Sequence, residues 1–150
     1  MQPSAAAKKD GFPVCLYLDA KTNSYIEEFS TSNFIGVTKS GTIVTPTSDS
    51  ILPSCTKGVV LQHARDLGLT VEERPVAFEE LNDLAEVAAC GTAVVLTPIK
   101  SITRGSAVHR FDSFETIAKL YNGVTGMQTG DMPDKHGYLR EVCDRPHEAC

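Results

Sequence analysis

Apolar positions in this chain fall into short runs that follow two different periods. VCLYLDA, residues 14–20, is a strand-length apolar run closed by the turn-forming KTNS. YIEEFS predicts a second short strand. SNFIGVTK and TIVTP predict two more, with Ser40-Gly41 as the hairpin signal between them. Ahead of these, residues 4–9 read as the tail of a helix that Gly11 and Pro13 close. TPTSDSILPS is loop by composition. From Cys55 to Leu67 the period changes: Val60, Ala64 and Leu67 recur on one face with Leu61 beside them, which predicts a helix ended by Gly68. Ser54 and Thr56 are both suitable caps for its start.

LTVEERPVA alternates partly and reads as one strand with solvated charges, and FEELNDL as a short helix with Glu79 and Glu80 facing solvent. AEVAAC and AVVLTPI are apolar strands on either side of Gly91-Thr92. A last helix is expected over residues 113–128, with Phe114, Ile117, Leu120 and Tyr121 on its apolar face and the loop GDMPDKHG after it. Strands interleaved with helices give a mixed α/β (α+β) layer architecture. One domain is expected over residues 1–142, with a short tail over 143–150.

Composition narrows the function classes. The chain has 150 residues, 41% of them hydrophobic and 22% charged, which is enough for one globular core. The net charge is -5 and there is no basic block, so nucleic acid is not an expected partner. No apolar run is long enough to cross a bilayer, and the N-terminus MQPSAAAKKDG has no apolar core of a signal peptide. No membrane partner and a cytoplasmic location are therefore expected. Five cysteines at irregular spacing argue against a disulfide framework, and Cys15 and Cys90 read as buried thiols. Cys143, His147 and Cys150, with Asp144, lack the paired spacing of a zinc site, so no metal is expected and the tail is read as disordered. His63 is placed on the solvent face of its helix, and His109 and His136 in loop or edge segments.

Three segments combine unusual residues with anion-binding geometry. LPSCT, residues 52–56, runs into a helix start, whose unpaired N–H groups and partial positive charge suit a phosphate. In CGTAVV, Gly91 interrupts an apolar run, which marks either a plain turn or a close approach of backbone to ligand. In IEEFSTSN, Glu27 and Glu28 project to opposite sides of a strand, so one of them can face inward and would then need a cation or a donor.

In this order, these segments resemble the branched-chain amino acid aminotransferases, fold-type IV enzymes that use pyridoxal 5'-phosphate. The matching text is LYLDA, IEEFSTSNFIGV, IVTPTSDSILPSCT, HARDLGLTVEERPVAFEEL, EVAACGTAVVLTPIKSI and LYNGVTGMQTGDMPDKHGYL, nearly the whole chain. The resemblance implies the large C-terminal domain of that fold, truncated at its N-terminal edge. It implies that Glu28 sits against the pyridine nitrogen and that Leu52 packs on one face of the ring. It implies that Cys55 and Thr56 hold the phosphate through backbone N–H groups, joined by Thr92. The turn of Gly91, Thr92 and Ala93 would receive the substrate carboxylate. The implied reaction is amino transfer between leucine, isoleucine or valine and 2-oxoglutarate, in a homodimer.

Two departures carry expectations of their own. The family's catalytic lysine lies upstream of the LYLD strand and by spacing falls before Met1, while Lys8 and Lys9 match a helix position that faces elsewhere. Little activity is therefore expected of the chain alone. The alternatives are a non-catalytic cofactor-binding or subunit-interaction module, or a fragment of a longer enzyme. Ser54 stands where the family has glycine, and would be strained if the site needs a positive φ there.

Overall fold

The computed structural model describes residues 2–140. Its strands are β1 (Leu16–Leu18), β2 (Tyr25–Phe29), β3 (Ser32–Thr38), β4 (Ile43–Thr45), β5 (Val71–Glu73), β6 (Val76–Ala77), β7 (Leu84–Gly91), β8 (Val95–Pro98), β9 (Ser101–Arg104) and β10 (Ala107–Arg110). The α-helices are α1 (Gln2–Lys9), α2 (Cys55–Asp66) and α3 (Glu115–Thr129), and a 3-10 helix covers Phe78–Asp83. The mixed α/β class is as expected.

β1 to β8 form one sheet, and β9 with β10 a separate hairpin. β3 is the hub. It pairs antiparallel with β7 along its length, with β4 near its C-terminal end, and with β2 near its N-terminal end. The turn between β3 and β4 needs Gly41, whose φ of +88° is open to glycine at no steric cost. β4 and β5 are parallel, so α2 is the crossover helix of a β-α-β unit.

Alternation along β3 and β7 sends side chains to two cores. Ile35, Val37, Ala88 and Cys90 pack under α2 and α3, with Val60, Leu61, Ile117, Leu120 and Val124. Phe34 and Val87 face the opposite side, with Ile26, Phe29, Val76, Leu81, Leu84, Ile102 and Phe111. The β9–β10 hairpin, which the apolar pattern does not predict, closes this second core. Its Arg104 guanidinium lies 4.8 Å from the centroid of the Phe78 ring, and His109 meets the same ring edge-on.

Several expectations are corrected. LTVEERPVA is not one strand: Arg74-Pro75 break it into β5 and β6, and these two strands pair with different partners. Glu80 does not face solvent freely. It holds Arg74 through both carboxylate oxygens and accepts the Ala77 N–H. Leu67 and Tyr121 are exposed rather than on the packed faces of their helices. Cys15 is only partly buried, whereas Cys90 is fully enclosed and burial pushes its thiol up to about 11. His63 is buried, not solvent-facing, because α3 lies across that side of α2. The cysteines and histidine of the tail lie outside the described residues.

One buried charged residue is not signalled by any motif. Glu86 on β7 is 4% exposed and accepts the N–H groups of Thr116 and Ile117 at 3.0 and 2.8 Å. It therefore caps α3, whose own N-cap residue Phe114 has no side-chain acceptor to offer.

Candidate functional site

The loop from β4 to α2 leaves the C-terminal end of a parallel strand and enters a helix N-terminus, the place where open α/β sheets hold ligands. It is held at two points by the β2–β3 hairpin. Ser48 donates its hydroxyl to Glu27 at 3.4 Å, and the Asn33 amide donates to the Leu52 carbonyl at 3.2 Å. Ser54 is the N-cap of α2, with φ −128° and ψ 120°, and its Oγ accepts the Lys57 N–H at 3.1 Å. That is extended backbone, so serine carries no strain where a glycine was expected. With the Lys57 N–H capped and the Gly58 N–H on the Ser54 carbonyl, helix geometry leaves the Cys55 and Thr56 N–H groups as donors for a ligand.

Glu28 lies on β2 directly opposite Asn33 and accepts its amide at 3.2 Å. On the other edge of β3, Asn33 is opposite Cys90, and so the end of β7 reaches the same place. Beyond Gly91 comes the turn Thr92-Ala93-Val94, which returns into β8 at Val95. This return is tight. Val95 has φ +60° and the Leu96 N–H bonds the Val94 carbonyl at 2.7 Å, a γ-turn with a left-handed centre on a buried β-branched residue.

Glu28, Leu52, Cys55, Gly91 and Thr92 thus line one cleft of about 480 Å³. Leu52 is 73% exposed, an apolar side chain left largely uncovered. Two of the expected site residues stand apart. Thr56 lines a small groove between α2 and the end of α3. Ala93 lines an adjoining cleft of about 740 Å³ whose walls include Phe12, Val14, Val94 and Ile99. Thr92 and Gly91 border both clefts. A Cβ at Gly91 would meet Ser32 at an ordinary 3.6 Å, so the protein itself has room there for a side chain. Lys8 and Lys9 are exposed, and no lysine lines the smaller cleft. Asn33 was not singled out by motif. A buried amide between two acceptors leaves no mark in the sequence that separates it from any other strand asparagine.

The arrangement offers a carboxylate, an apolar platform and a cluster of N–H and hydroxyl donors around one space. That set fits an aromatic ring bearing a basic nitrogen and a phosphate.

Residues 1–102 match the family model described as amino-transferase class IV. A branched-chain-amino-acid aminotransferase of Haemophilus influenzae is 40% identical over 136 residues, covering 87% of this chain and 40% of its own length. Aminotransferase atnJ of Emericella nidulans is 41% identical over 152 residues, covering 93% of this chain and 44% of its own. The chain therefore spans less than half the length of these relatives. Among solved structures, a branched-chain amino acid aminotransferase from Escherichia coli superposes with a TM-score of 0.80 at 28% identity, over 91% of this chain and 45% of that one. An aminotransferase from Brucella abortus, bound to the cofactor pyridoxal phosphate, superposes with a TM-score of 0.65 at 25% identity, over 78% of this chain and 41% of that one.

Proposed function

The chain belongs to the class IV amino-transferase family, and from that premise we propose that it supplies one wall of a pyridoxal 5'-phosphate site in an aminotransferase for branched-chain amino acids. The observation that carries this reading is the convergence of Glu28, Leu52, Cys55 and Thr92 on one cleft from three separate segments. When bound, pyridoxal phosphate supplies a ring that accepts the electron pair released at an amino acid Cα.

The chain's own residues have distinct tasks around that ring. The Glu28 carboxylate holds a proton on the ring nitrogen, an interaction between opposite charges. Leu52 covers one ring face and excludes water from it. The Cys55 and Thr56 N–H groups and the Thr92 hydroxyl take the phosphate. Gly91, Thr92 and Ala93 orient a substrate carboxylate. The adjoining apolar cleft beyond Ala93 supports an aliphatic side chain in the substrate. Exposed Phe12, Tyr17, Tyr25 and Val108 support assembly with a second copy, as in a homodimer.

Fluorescence titration with pyridoxal 5'-phosphate and with pyridoxal tests the site. The phosphate should tighten binding by roughly tenfold or more, the scale of one or two charge-assisted hydrogen bonds. Equal affinity for the two would remove the phosphate role of α2. Because no lysine lines this cleft, borohydride reduction followed by peptide mapping reports only labelling of lysines outside it and serves as the control for non-specific reaction.

A further inference from the structure

Asn33 is only 6% exposed, yet it is polar, and it stands on β3 between half-buried Ser32 and fully buried Phe34. A carboxamide nitrogen has two N–H donors, and both are used. One goes to Glu28 Oε2 and one to the Leu52 carbonyl, each at 3.2 Å. Each target is an acceptor, so neither can hold the other without a donor between them. The strand register places Asn33 opposite Glu28 on one edge and Cys90 on the other. Hence the three segments that build the cleft meet at this one residue. Closure of the β2–β3 hairpin does not require the amide, because the Glu28–Asn33 and Phe29–Ser32 register already provides it.

We propose that Asn33 is a positioning residue: its amide fixes the Glu28 carboxylate against the Leu52 loop, and so sets how strongly the site prefers a ring that carries a basic nitrogen. This rests on the proposed reading of the cleft as a pyridoxal phosphate site. The amide takes up one carboxylate oxygen of Glu28 and fixes its plane, leaving Oε1 for the ring. It also ties the height of Leu52 to that carboxylate. Asn33→Asp keeps the shape but replaces both donors by acceptors. It would set a second carboxylate beside Glu28 and leave the Leu52 carbonyl without a partner.

The test compares two ligands on four proteins. The ligands are pyridoxal 5'-phosphate and its analogue with carbon in place of the ring nitrogen. The proteins are the wild-type chain, Asn33→Asp, Asn33→Ser and Glu28→Gln, with folding checked by circular dichroism. Wild type should prefer the nitrogen-bearing ligand by roughly tenfold, the scale of a charge-assisted hydrogen bond. Asn33→Asp and Glu28→Gln should both bring that preference close to unity. If Asn33→Asp does not fold, Asn33→Ser, which keeps a single donor, carries the same comparison. Equal weakening of both ligands, with the preference kept, would show a merely structural residue and overturn the inference. A wild-type chain that binds neither ligand would instead remove the functional reading, and this inference with it.

Discussion

The imidazole of His63 fills the space that a side chain at Gly123 would occupy, and a methyl group there would overlap Nε2. This notch lets α2 and α3 approach closely over the sheet. Gly123→Ala should therefore destabilise the fold by about 1–3 kcal/mol, the usual cost of overpacking. A urea melt would read it as a lower midpoint with unchanged slope. A variant as stable as wild type would mean that the helices separate freely.

The same contact has a pH dependence. Burial, first of all, holds the His63 pKa below its ordinary 6.5; Lys135 and Lys119 act in the same direction and Asp66 opposes them. The folded state thus takes up its proton later than the unfolded state as pH falls. Stability is complete above about pH 6.5 and declines below it, until the folded-state histidine also protonates. Melts at pH 8, 6 and 5 should show this decline, and His63→Gln should reduce it. An unaltered pH profile in that variant would place the dependence elsewhere.

Glu86 should prove a structural anchor. Glu86→Ala leaves the Thr116 and Ile117 N–H groups without their carboxylate inside the core. A loss of about 1–3 kcal/mol is expected for such buried, unsatisfied groups. Glu86→Gln keeps one acceptor and should lose less. The reverse order in denaturant melts would contradict the capping role.

Two cysteines should differ sharply in reactivity. Cys55 is exposed at the start of α2, whereas Cys90 is enclosed with its thiol pushed up to about 11. Alkylation at pH 8 followed by peptide mapping should label Cys55 fast and Cys90 only on unfolding. Pyridoxal phosphate should slow labelling of Cys55, since the thiol borders the same cleft.

Most of the sheet is legible from apolar runs and turn residues, because β3, β4 and β7 carry near-continuous buried positions and β8 opens with two. The β9–β10 hairpin is not, since only Ile102 of its residues is buried. The break in LTVEERPVA follows from Pro75 and from the pull of Glu80 on Arg74, a tertiary contact. For His63, helical periodicity gives a direction but not what lies there. A second helix with a glycine opposite turns that direction inward. The cleft's three segments were visible as text, but the amide that joins them was not.

The most direct measurement is a two-dimensional amide nuclear magnetic resonance titration of the chain with pyridoxal 5'-phosphate. Saturable shifts should concentrate on the N–H groups of Cys55, Thr56, Thr92 and Ala93, with Glu28 and Asn33 following, and should fade in Glu28→Gln. Shifts confined to surface lysines, or spread without saturation, would contradict a cofactor cradle at this cleft.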